Sequence, residues 1–144
     1  RTHCVGEVSK EAQDLVRVTR ECFFEGIKYA KEGNHLFDIS GAIGRYAEER
    51  GYGVVRDLCG HGIGTALHEA PEIPNYEMKR KGVLLKAGMT LAIEPMINIG
   101  GWEVDWMDDD WTVVTRDHSL SAHYENTVLI TENEPKLLSL TEGI

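Results

Sequence analysis

Nowhere in these 144 residues do apolar side chains run on for the roughly 20 positions that a membrane-crossing helix needs. No basic, apolar and small-residue series opens the chain as a secretion signal does, and no repeat or low-complexity tract is visible. Positive charge is scarce. Lys and Arg number 15 against 24 Asp and Glu, a net charge of -9, so there is no basic stripe to neutralise phosphates and nucleic acid is not an expected partner. Cysteine is equally thin: Cys4, Cys22 and Cys59 are odd in number and widely spaced, with no CxxC pair to clamp zinc or shuttle electrons. These absences describe a cytoplasmic protein with reduced thiols and no membrane partner.

An apolar fraction of 42% suits one compact domain, residues 1–144. The chain opens Arg1-Thr2-His3-Cys4 without an initiator methionine, which reads as a portion of something longer. Ser9 stands three residues before Ala12, and Leu15, Val18, Cys22, Ile27 and Ala30 follow at three- to five-residue spacings, the pattern of a long amphipathic helix. Gly33 stops it, and Asp38 opens a second helix with Ile39, Ile43, Tyr46 and Ala47 on one face, ending near Gly51. Beyond Tyr52 the chain turns to short runs rich in Val, Ile and Thr. Strands are expected at Gly53 to Arg56, Met89 to Ile97, Trp111 to Thr115 and His123 to Thr131, with a closing run near Leu137 to Leu140. Pro71 to Arg80 reads as a surface loop. Helices followed by strands with short turns favour an α+β layer, an antiparallel sheet with helices on one face.

The sharpest local feature is Cys59-Gly60-His61-Gly62-Ile63-Gly64. Alternating glycines free the backbone and clear space beside the imidazole, so His61 is either a metal ligand or a hydrogen-bonded turn residue. His68 follows seven residues later, either a proton-transferring histidine or an exposed loop residue. Glu94 in Thr90-Leu91-Ala92-Ile93-Glu94-Pro95-Met96 and Glu125 in Tyr124-Glu125-Asn126-Thr127-Val128 interrupt apolar strands. Strand alternation groups Thr90, Ala92, Glu94 and Met96, and likewise His123, Glu125, Thr127 and Leu129. Where those faces meet, the carboxylates converge and call for a compensating cation; on a solvated sheet edge they need none. Two imidazoles and two carboxylates make a mixed ligand set suited to Zn, Mn, Fe or Co.

The segments Cys59 to Gly64, His68-Glu69-Ala70-Pro71, Met89 to Met96 and Ser121-Ala122-His123-Tyr124-Glu125-Asn126-Thr127, with Trp111-Thr112-Val113-Val114-Thr115, occur in the order and spacing of type I methionine aminopeptidase, which this chain resembles over essentially its whole length. The resemblance implies a pita-bread metallopeptidase that binds two divalent metal ions and removes the N-terminal methionine from nascent polypeptides. His61 and Glu94 then resemble ligands of one metal, and Glu125 the carboxylate shared by both. Glu94 also resembles the proton carrier, and His68 the histidine that binds the scissile peptide. Leu67 and Trp111 match positions lining the methionine pocket. The family's two aspartate ligands and a further histidine match nothing in residues 1–144, so the resemblance implies the C-terminal half of the fold, completed by an N-terminal half or a companion chain. Asp110, Asn126 and Leu67 depart from the family's usual glycine, histidine and aromatic. The rival readings are an Xaa-Pro-type or creatine-cleaving pita-bread peptidase and a catalytically dead pita-bread binding module.

Overall fold

The structure is a computed structural model that describes residues 1–140. Helix α1, Lys10–Ile27, begins where the sequence places it: the Ser9 hydroxyl accepts the Ala12 N–H at 3.2 Å and satisfies one of the free amides of the first turn. Its apolar stripe of Leu15, Val18, Cys22 and Phe23 is buried. Burial pushes the Cys22 thiol up to about 12, so that group stays neutral inside the core. Helix α2, Leu36–Glu48, opens two residues before Asp38. The reason is that Asp38 sits in the first turn, where its Oδ2 accepts the His35 N–H at 2.8 Å. The two helices cross closely at Gly26, where any Cβ would lie 2.6 Å from Cγ1 of Ile43.

Among the described residues ten short strands follow: β1 Gly53–Val54, β2 Gly60–Gly62, β3 Glu69–Ile73, β4 Thr90–Ile93, β5 Met96–Asn98, β6 Val104–Trp106, β7 Val113–Thr115, β8 Ser121–His123, β9 Asn126–Leu129 and β10 Lys136–Leu137. Every pairing is antiparallel, as expected. The strands form a five-stranded sheet in the order β10-β9-β4-β2-β3, a three-stranded sheet β1-β5-β8 and a hairpin β6-β7. Val54, Ile73, Leu91, Ile93, Ile97, Val128 and Ile130 share one apolar cluster with the helix residues. Each fully buried Leu or Ile there contributes roughly 1.5–3 kcal/mol over leaving it exposed. Among the described residues no helix is long and apolar enough to cross a membrane.

Three differences from the sequence reading matter for the site. Met89 to Ile97 is not one strand but two, β4 and β5, and His123 to Thr131 likewise contains the end of β8 and all of β9. The segment Pro71 to Arg80, expected as loop, starts inside β3; that strand is a sheet edge, where proline's missing N–H costs no ladder bond. The register nevertheless runs unbroken through the interruption. Ile93 pairs with Asn126 and Met96 with His123, so the same count sets Glu94 opposite Glu125 and Pro95 opposite Tyr124. The Tyr124 N–H still reaches the Pro95 carbonyl at 3.2 Å.

Candidate metal centre

Leu91 and Ile93 of β4 and Val128 of β9 point into the cluster beneath the helices. By alternation Thr90, Ala92 and Glu94 point the other way, and so do Thr127 and Glu125 on the paired strand. His61 pairs with Ala92 and joins that same face. Ligand-type atoms of His61, Glu94 and Glu125 all lie within 4.8 Å of one another. These three side chains come from separate parts of the chain and are brought together by pairing alone.

β2 can carry His61 between two neighbours because its flanking residues have no side chains. A Cβ on Gly60 would strike the carbonyl oxygen of Ala92, and one on Gly62 the carbonyl of Ala70. Neither glycine has a positive φ, so close approach rather than backbone freedom requires them. Nδ1 of His61 lies 2.9 Å from the Gly62 carbonyl oxygen. A carbonyl only accepts, which places a proton on Nδ1, and in the neutral ring the lone pair is then on Nε2. That lone pair faces Glu94 Oε1 at 3.5 Å, in side chains only 13% and 18% exposed. Two acceptors held face to face with little water repel unless a proton or a cation stands between them. The donor set, one neutral imidazole and two carboxylates, therefore fits a divalent metal ion.

His68 lies on the exposed loop between β2 and β3, its ring centroid 4.2 Å from that of His61. Glu69 braces this loop: its Oε2 accepts the Thr65 hydroxyl at 2.8 Å and the Ala66 N–H at 3.2 Å. The Thr65 bond, helped by the Ala66 amide, holds the Glu69 carboxyl below the ordinary range. A cleft of about 550 Å³ opens beside the two imidazoles and is lined also by Cys59 and Glu72. Leu67 and Trp111 do not line that cleft. Leu67 is 69% exposed and Trp111, on the turn between β6 and β7, is 85% exposed.

Two residues near the site escaped the sequence reading. His123 Nε2 lies 3.3 Å from Glu94 Oε2 and 3.7 Å from Glu125 Oε2; its signal was present, since it alternates in step with Glu125. Asn75 carried no such signal, lying in unpatterned sequence. It is fully buried, and its Nδ2 donates to the Glu94 carbonyl at 3.1 Å, in place of the ladder bond that is missing where β4 ends before Pro95. Helix α2 holds Asn75 there, because Gly44 lets the helix close on the backbone of Tyr76. Asn75→Ala leaves that partly buried carbonyl without its donor. The expected result is a loss of about 1–3 kcal/mol, read as a lower urea midpoint at unchanged slope; an unshifted midpoint would show that the bond contributes nothing.

Residues 1–132 match the sequence model of metallopeptidase family M24. The chain is 54% identical to a methionine aminopeptidase of Clostridium acetobutylicum over 142 residues, covering 99% of this chain and 57% of that protein. Among solved structures it is similar to the methionine aminopeptidase of Thermotoga maritima, with TM-score 0.91 and 49% identity over 95% of this chain and 55% of that one. It is also similar to the prolidase of Pyrococcus furiosus, with TM-score 0.74 and 29% identity over 99% of this chain and 36% of that one. The chain thus spans about half the length of the curated relatives it matches. The mixed helical and antiparallel architecture is the pita-bread fold of these neighbours. With the family's sequence pattern running through residues 1–132 and that fold beneath it, the chain belongs to metallopeptidase family M24.

Proposed function

We propose that residues 1–144 are the C-terminal portion of a single catalytic domain that removes the N-terminal methionine from peptides and nascent chains in the cytoplasm. The observation that carries this reading is the convergence of His61, Glu94 and Glu125 on one point. His61 Nε2, Glu94 and Glu125 would hold divalent metal, of Co, Mn, Fe or Zn, and two such ions are expected in the complete site. When bound, such ions lower the pKa of water and polarise a carbonyl. Glu94 accepts a proton from the attacking water and returns it to the leaving amine. His68, exposed beside His61, donates to the scissile carbonyl oxygen as that oxygen gains charge. Leu67 and Trp111, open to solvent in residues 1–140, form one wall of the methionine pocket once substrate and the rest of the domain close on them. The lower identity to the prolidase leaves the Xaa-Pro reading with weaker support.

Among the described residues only Glu125 would be left for a second ion, and its further ligands are expected from the part of the longer relatives that this chain does not cover. The test is to assay residues 1–144 with added Mn²⁺ or Co²⁺, alone and mixed with the N-terminal segment of the Clostridium acetobutylicum relative. Hydrolysis is expected only in the mixture, with peptides that begin with Met cleaved at least about tenfold faster than those that begin with Asp or Val. Equal rates on all three would end the methionine assignment. Full activity of the chain alone would show that the site has been assigned to the wrong residues.

A further inference from the structure

We propose that His123 is a positioning residue for the metal centre: its Nε2–H steers the Glu94 carboxylate so that one oxygen stays turned towards His61. The proposal rests on the reading of His61, Glu94 and Glu125 as ligands. Glu94 offers two oxygens, and each is faced by a different imidazole. Oε1 lies 3.5 Å from Nε2 of His61, and Oε2 lies 3.3 Å from Nε2 of His123. A carboxylate turns readily about its last torsion, which has no sharp minimum, so a ligand oxygen is fixed only when something holds its partner oxygen. His123 is placed to do this for Glu94 while standing 3.7 Å from Oε2 of Glu125.

His123 approaches from outside the ligand cluster. It is not among the three residues whose ligand atoms all lie within 4.8 Å of one another. Its backbone is held on both sides. Across one edge it pairs with Met96 of β5. Across the other, its N–H donates to the Thr2 hydroxyl at 2.9 Å and its carbonyl accepts the Thr2 N–H at 2.9 Å. The imidazole therefore projects from a fixed point, on the same face as both carboxylates, two positions from Glu125. Partners of this kind typically change metal affinity by about 10- to 100-fold.

The experiment titrates the protein with Co²⁺ and reads both the dissociation constant and the visible absorption of the bound ion. His123→Gln keeps an N–H donor at the reach of Nε2 and is expected to bind within about threefold of the parent. His123→Ala removes the donor, and His123→Asn places its amide where Nδ1 stands, short of Glu94. Both are expected to bind about 10- to 100-fold more weakly, with the absorption band unmoved because the ligands are unchanged. Melting in EDTA establishes that each variant is folded, and the asparagine and glutamine pair decides the matter should the alanine variant not fold. Binding by the asparagine variant as tight as the parent's would overturn the positioning role alone. So would a glutamine variant as weak as asparagine, or a shifted band, either of which would make His123 a ligand. A parent protein that takes up no Co²⁺ would remove the ligand reading together with this one.

Discussion

Glu125→Gln is expected to weaken divalent-metal binding by at least about a hundredfold while leaving the metal-free protein no less stable. The register sets Glu125 directly opposite Glu94, on the face that points away from the helices. Two like charges at one register point repel, so the strands gain nothing from that pair in the absence of a cation. With a cation the sign reverses, because each carboxylate offsets the charge of an ion that has left bulk water. Removing one partner from such a group costs about 3–5 kcal/mol, or roughly two to three and a half powers of ten in affinity. The measurement is a pair of melting curves, one in excess Mn²⁺ and one in EDTA, for parent and variant. The parent should gain much in Mn²⁺ and the variant little, whereas the EDTA curves should coincide or favour the variant. A variant that melts early in both conditions would make Glu125 a fold-stabilising residue and not a ligand.

His68→Ala is expected to lower kcat by roughly two to four powers of ten, the usual worth of a positioned proton or hydrogen-bond donor. Metal content and melting temperature should stay where they are. The contrast follows from its surroundings: His68 is exposed, on a loop that Glu69 already braces through Thr65 and Ala66, and it stands outside the group of three ligand atoms. Nothing in the core leans on it. The assay needs the assembled enzyme, and the informative comparison is kcat against KM for a methionyl peptide. A drop in bound metal, or a melting temperature lowered by several degrees, would move His68 from turnover to structure.

The helices were legible because each carries its own start signal and a repeated apolar stripe, information held within one segment. Ser9 caps α1 as its spacing suggests, but α1 ends at Ile27, short of the expected stop at Gly33, and α2 opens two residues early because Asp38 acts inside the first turn. Glu94 and Glu125 were legible for a related reason, as charges set in apolar runs. The break at Glu94-Pro95 was read through as one strand although proline has no N–H for the ladder, and the bond that Asn75, 19 residues away in sequence, gives the Glu94 carbonyl left no sign in the sequence. β2 also left no trace: Gly60-His61-Gly62 contains no β-branched residue and no Phe, Tyr or Trp, and only the two strands pressed against it make it a strand. His123 was visible in the alternation, yet a role for it required the distances to both carboxylates.

The unbroken register across the gap also says what kind of genetic change this site tolerates. Between Ile93 and Met96 there are two residues, and between His123 and Asn126 there are two. A substitution at Pro95 or Tyr124 alters packing but keeps that parity. Insertion or loss of one residue on either side turns the following carboxylate, or everything beyond it, over to the opposite surface of the sheet. The spacing of this junction is thus under stricter constraint than the identity of Pro95 and Tyr124, and variation in length belongs elsewhere, in turns that carry no residue of the site.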